Sequence, residues 1–299
     1  MSEVYKSGVI DINKKYKKRS QLKEIWLRLK KNKAAVFGLV LFIMIIGVAL
    51  CADLICDYQD SALKQNAVRR LEAPSSEHIF GTDEYGRDIF ARIVHGTRLS
   101  MQVGVIAVGV ALLVGGSLGA VAGFYGGVTD NIIMRFMDIM LAVPQILLAI
   151  TIMSVMGASS YNLMLAIGLS SVPTYSRIVR SAVLSVKDQE FIEASRALGA
   201  KNMTIILSEV LPNIMAPIIV QVTLNVATAI LSTSTLSFIG LGIRPPVPEW
   251  GNMLSGGRQF LRDAPHLCIF PGLAIVITIL SLNLFGDGLR DSLDPKLKQ

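Results

Sequence analysis

The sequence lacks the loops and clusters that usually hold phosphate, a catalytic metal or an acyl-enzyme. Its 299 residues contain no G-x-x-x-x-G-K-[ST] run, no H-E-x-x-H and no G-x-S-x-G. Three histidines, His78, His95 and His266, stand far apart and share no ligand spacing with the cysteines. The three cysteines, Cys51, Cys56 and Cys268, are too few for a disulfide framework. Cys51 and Cys56 lie in or beside an apolar run, where cysteine behaves as a small hydrophobe. Charge is scarce: 17% of residues are charged and 52% are hydrophobic, with a mean hydropathy of +0.53. Such apolar surface exceeds the needs of an ordinary soluble core, so a membrane protein is expected. Nothing in it suggests an enzyme acting alone.

What charge there is has a direction. Of 29 basic residues, 11 fall in the first 33 positions against three acidic ones. A basic block directly before an uncharged run reads as an orientation signal that touches anionic headgroups, rather than as a nucleic-acid patch. It predicts a cytoplasmic N-terminus. Within residues 1–33, Leu22, Ile25, Trp26 and Leu29 follow i, i+3, i+4, i+7 spacing, as in a helix lying at the inner headgroups.

A bilayer core of roughly 30 Å takes about 20 apolar helical residues, which converts the uncharged runs into six spans. These are residues 34–55, residues 99–124, two within 139–176 divided by "GASSYN", one within 210–243, and residues 267–286. The chain then divides into a basic segment (1–33), a first transmembrane helix (34–56), an extracytoplasmic segment (57–98), a core of five further transmembrane helices (99–290) and a cytoplasmic tail (291–299). The segment after the first span strains this topology, because it carries Lys64, Arg69, Arg70, Arg87, Arg92 and Arg98 on the outer side. There Ile89, Phe90, Ile93 and Val94 read either as an interfacial element or as packing against the spans.

Several features recur inside the expected spans. Gly115, Gly119, Gly123 and Gly127 share one helix face and predict a close-packed seam. Arg135 and Asp138 are spaced for an i, i+3 ion pair. Asn225, Thr228, Ser232 and Thr235 form a polar stripe on the fifth span. A solute path would use such a stripe, and so would ordinary interhelical hydrogen bonding. Pro144, Pro173, Pro212 and Pro217 predict kinks or helix borders.

The charged stretch "DQEFIEASRALGAKNMTIILSEVLPN" interrupts this apolar chain between the fourth and fifth spans. Asp188 is placed to cap a helix with Glu190 and Glu193 in its first turn. Phe191, Ala194 and Leu198 line one face, and Glu193 and Arg196 are spaced to pair. Gly199 is a natural stop, needed if the chain turns through positive φ there. A second segment with Met203, Ile206, Leu207 and Val210 then runs into Leu211, Pro212 and the fifth span. The pattern is that of a lever joined to a transmembrane helix, or of a helix resting on the bilayer.

"EASRALGAKNMTIILSEVLP" resembles the E-A-A, three residues, G, nine residues, I-x-L-P motif of the permease subunits of ABC importers. Glu193, Ala194, Gly199, Leu211 and Pro212 match in register, while Ser195 and Glu209 depart from the pattern. "FGTDEYGRDIFARIVHGTRLS", "GFYGGVTDNIIMRFMDIMLAVPQILLAI" and "SFIGLGIRPPVPEWGNMLSGG" are similar to the C-type subunits of dipeptide and oligopeptide permeases. Nickel and glutathione permeases share these segments. The resemblance covers nearly the whole chain.

The resemblance implies an all-α, polytopic permease of the type I importer fold, with six transmembrane helices, in the cell membrane, with both termini cytoplasmic. It implies a second homologous permease, two ABC ATPase subunits and an extracytoplasmic peptide-binding protein as partners, besides membrane lipid. ATP and Mg2+ would be bound by the ATPase subunits and not by this chain. Residues 188–200 would hold the coupling helix, with Glu190, Phe191, Glu193, Ala194, Ser195, Arg196, Ala197, Leu198 and Gly199 meeting an ATPase and Leu211 and Pro212 passing motion to the fifth span. Residues 57–98 and "RPPVPEWGNML" are candidate docking surfaces for the binding protein or covers over the helix ends. An ion-gradient-driven carrier is the rival class, which would show internal repeats or intramembrane carboxylates; no repeat is evident.

Overall fold

The computed structural model describes residues 21–157 and 159–293. Most of the basic block (1–20), the Leu22 side chain, Ala158 and the end of the tail (294–299) lie outside the described residues. Ten helices of eight residues or more organise the described chain. They are α1 (Gln21–Leu29), α2 (Lys33–Leu50), α3 (Ile89–Tyr125), α4 (Gly127–Leu141), α5 (Gln145–Met156), α6 (Ser160–Leu184), α7 (Glu190–Ala197), α8 (Asn202–Phe238), α9 (Trp250–Gly257) and α10 (His266–Leu293). Among the described residues the only extended pairing is the isolated bridge between Thr82 and Asp88.

Four of these helices, α2, α3, α8 and α10, are long and apolar enough to cross a membrane. Helices α4 and α5 make a fifth crossing if taken as one broken span, bent by 89°. Pro144 stands at that break and has no N–H to continue the α4 ladder. The expected six is reached only by counting α6, which at 25 residues is long enough but carries Arg177, Arg180 and five serines. Its polar composition is tolerated because α3, α4, α5 and α8 pack around it.

Helix α3 begins ten residues before the expected second span. Asp88 accepts from the Ala91 amide at 2.8 Å and starts the helix at Ile89. Ile89 and Val94 are buried in its first turns, so they pack against the protein and do not form a separate interfacial element. Residues 89–98 therefore belong to the α3 helix.

The arginines that strain the expected topology also find their explanation here. Arg87 pairs with Asp83 at 2.7 Å, and Arg92, 2% exposed, reaches Asp83 at 3.3 Å and the carbonyls of Ala62 and Pro246. Arg98 binds Asp53 at 2.8 Å and the Ala49 and Leu50 carbonyls at the end of α2. These cations are neutralised by partners within the fold and are not free loop charges. Together with Trp250, whose indole N–H donates to the Ile93 carbonyl, they fasten the segment before α3 and the α9 region over one end of the bundle.

The core falls into two clusters. The larger joins α3, α5, α6, α8, α9 and α10 around residues such as Val103, Leu163, Ile230 and Trp250. The smaller joins the other ends of α3, α6 and α8 around Phe124, Val183, Ile206 and Ile214. Helix α1, the last turn of α10 and α7 lie at this second end: Leu29 and Ala35 sit against Gly288, and Arg290 and Leu293 share a cleft with Ser185 and Asn213.

Candidate functional site

The charged insert folds as α7, and one apolar residue fixes it. Ile192 is fully buried in the smaller cluster, among Phe124, Val183, Ile205 and Val210. Phe191 and Leu198 point away from that contact, 39% and 88% exposed, and Ala194 is exposed with them. The sequence pattern located this outward face but missed Ile192, because a helix of two turns needs only one residue to hold its inner side.

The ends of α7 differ in how closely they follow the sequence. Gln189, not Asp188, occupies the N-cap position, and its side chain makes no capping bond. Glu190 and Glu193 still sit in the first turn, where the helix dipole favours them. The C-terminal end is a Schellman motif: the Ala200 amide donates to the Ser195 carbonyl at 3.1 Å and the Gly199 amide to the Arg196 carbonyl at 2.9 Å. Gly199 has φ +81°, a conformation that L side chains avoid.

The expected i, i+3 pair of Glu193 with Arg196 does not form. Arg196 instead places its guanidinium over the Phe124 ring, 5.3 Å from its centre. Glu190, Glu193, Ala197 and Leu198 remain exposed, and Ser195 is half-buried.

Past Gly199 the chain enters α8 without a break. A π-helical stretch, Ile206–Val210, turns Ile205, Ile206, Val210 and Ile214 toward the cluster that holds Ile192. Met203 and Leu207 are exposed, Leu211 packs partly on the cluster and Pro212 is exposed at the join. Thus α7 rests on the same residues that begin a 37-residue helix.

The glycines expected to form one seam do so in three of four places, all three on α3. A Cβ at Gly115 or Gly119 would collide with the Val172 or Ser176 carbonyl of α6, and one at Gly123 would come within 2.9 Å of Val183. Gly127 is outside it, with open space around it at φ +54°. The expected pair of Arg135 and Asp138 is replaced by pairs between helices: Asp138 binds Arg177 and Asp130 binds Arg180, each at 2.5 Å. Both pairs pin α4 to α6.

The stripe on α8 is divided in its surroundings. Asn225 and Thr228 share a small pocket with Gln145, Ser171, Thr174 and Tyr175, in which Gln145 donates to Ser171 at 2.8 Å. Thr235 donates to the Leu231 carbonyl of its own helix, and Ser232 is half-buried and does not line the pocket.

A family described as the binding-protein-dependent transport system inner membrane component matches residues 115–299. The chain belongs to that family. A second family, the N-terminal transmembrane domain of oligopeptide transport permease C, matches residues 20–74 of this permease. The dipeptide transport system permease protein DppC of Alkalihalophilus pseudofirmus is 50% identical to it, over 93% of this chain and 91% of that protein. The glutathione transport system permease protein GsiD of Pectobacterium atrosepticum is 41% identical, over 94% and 93%. Among solved structures, the inward-facing MetNI methionine ABC transporter matches with a TM-score of 0.55 at 17% identity, over 69% of this permease and 98% of that chain. That likeness gives the fold, which is that of the MetI-like ABC permeases.

Proposed function

We propose that this permease imports di- or oligopeptides as one half of a membrane channel driven by ATP, and that α7 is the helix through which ATPase subunits work it. The carrying observation is the two-sidedness of α7. Ile192 and Arg196 hold it to α3, α6 and α8, while Phe191, Ala194 and Leu198 present an apolar face to solvent. An exposed apolar face on a firmly seated short helix suits insertion into a groove on a partner. Closure of the ATPases on ATP and Mg2+ would press α7 and tilt α8 through Leu211 and Pro212.

In this reading a homologous permease completes the channel and an extracytoplasmic binding protein delivers the cargo onto the end capped by residues 57–88 and α9. Helix α7, α1 and the end of α10 face the cytoplasm. Peptide cargo is supported by the names of the relatives, and glutathione, itself a small peptide, lies within the same range. The lane containing Asn225 and Thr228 is the stretch of the path that this chain supplies.

The test is purification of the complex from membranes with Phe191→Asp and Leu198→Asp variants, followed by peptide uptake in proteoliposomes. The expected result is loss of the ATPases with retention of the second permease. Retention of the ATPases with full ATP-driven uptake would sink the assignment of α7. Uptake by wild type that follows an ion gradient and ignores ATP would sink the importer class itself.

A further inference from the structure

Helix α6 carries a polar stripe that faces the one on α8. Ser171, Thr174, Arg177 and Ser181 recur every three or four residues on α6, with Ser185 following at its C-cap, as Gln221, Asn225 and Thr228 do on α8. Ser171, Thr174, Asn225 and Thr228 line the small pocket between these helices. One turn further along each helix, Arg177, Ser181 and Gln221 line a cleft of about 860 Å³ that opens beside α7, with Arg290 of α10 on its rim. Pocket and cleft therefore follow one another along α6 and α8 as a lane of polar groups.

The lane has a built interior. The Tyr175 hydroxyl, on a side chain only 1% exposed, lines the pocket beside Asn225. Ile214, Pro217, Val220 and Leu224 supply aliphatic wall between the polar groups of the cleft. The lining thus suits a solute with an apolar body, amide groups and an anionic end.

Arg177 supplies the cation. Its Nη2 alone is engaged, by Asp138, and its side chain is 54% exposed into the cleft. A carboxylate arriving there can take the remaining guanidinium donors or displace Asp138, and Asp138 can return when it leaves. The exchange keeps the guanidinium paired throughout.

Resting on the peptide-import reading above, we infer that Arg177 and Arg290 receive the C-terminal carboxylate of a peptide on its way out through the α7 end. Asp138 is the resting counter-ion that the carboxylate replaces.

The experiment is maximal uptake of a radiolabelled dipeptide by the whole complex in proteoliposomes, at saturating loaded binding protein, with and without phosphatidylglycerol. Assembly of every variant is checked by co-purification. Arg290→Gln and Arg177→Gln are expected to slow uptake about tenfold, with Arg177→Lys retaining most of it. The charge-swapped pair Asp138→Arg/Arg177→Asp restores the ion pair but moves the guanidinium, and it is expected to stay slow. Recovery in the swap would show the pair to be structural and would overturn the inference. So would wild-type rates in Arg290→Gln and Arg177→Gln, or losses that appear only with phosphatidylglycerol, which would assign the cations to a lipid phosphate. Absence of peptide uptake by wild type would instead defeat the peptide-import reading on which the inference rests.

Discussion

The Arg196 guanidinium stacks over the Phe124 ring, 5.3 Å from its centre, and so ties α7 to the last turn of α3. Ile192 adds the tie to α6 and α8, being fully buried against Val183 and Val210. Two attachments on one two-turn helix make α7 follow three long helices together. Ile192→Ala should remove about 2–4 kcal/mol of local packing. Amide hydrogen exchange across Glu190–Ala197 is expected to accelerate strongly in this variant, while the α3 and α6 cores keep their protection. Unchanged exchange in α7 would mean that Ile192 is not its anchor.

Gly199 tests the turn alone. No heavy atom stands within 4 Å of a Cβ built there, so a substitution meets only backbone strain at φ +81°. Gly199→Val should therefore cost on the order of 1–2 kcal/mol and loosen the path from α7 to α8, whereas Gly199→Asn should cost less. Substrate-stimulated ATPase activity of the assembled complex is expected to fall in the order Gly, Asn, Val. Equal activity in all three would show that the turn is not strained by side chains.

The contrast between Gly199 and Ile192 shows where the sequence is readable. A positive-φ stop announces itself through one glycine after a charged, amphipathic helix, whatever the rest of the protein does. The inward residue of so short a helix does not, because Phe191 and Ile192 are neighbours and only tertiary packing decides which one turns in. The outer arginines were opaque for a related reason: the partners of Arg98 are Asp53 and two carbonyls nearly fifty residues earlier. Charge counting cannot see such pairs. Helix α6 continues past the uncharged run that ends at Ser176 and takes in Arg177 and Arg180, and only its position between α3, α4, α5 and α8 makes sense of five serines and two arginines in one helix.

The glycine seam on α3 gives a prediction with an internal control. Gly119 faces the Ser176 backbone of α6 so closely that any Cβ must push the helices apart, whereas Gly109 on the same helix has open space. Gly119→Ala is expected to destabilise by about 1–3 kcal/mol through overpacking. Gly109→Ala should be neutral or stabilising by roughly 0.5–1 kcal/mol, since alanine is the better helix former. Thermal unfolding in one detergent checks both, and similar melting temperatures for the two would remove the seam.

Glu249 carries a pH prediction. Its carboxylate is fully buried at the start of α9 and accepts from the Gly251 and Asn252 amides, each at 2.8 Å. Burial disfavours the charged form and raises its pKa above the ordinary carboxylate value, and the two amides only partly offset this. A carboxyl group whose pKa is higher folded than unfolded contributes stability below the unfolded value and loses it as pH rises through the folded one. Glu249→Gln keeps an oxygen acceptor for the cap and cannot ionise. The melting temperature of wild type minus that of Glu249→Gln should therefore be highest in mild acid and fall as pH rises toward neutral. Taking the difference cancels every other titrating group that the two proteins share. A flat difference would mean that the two amides fully compensate burial, and a rising one that the charged form is the preferred cap.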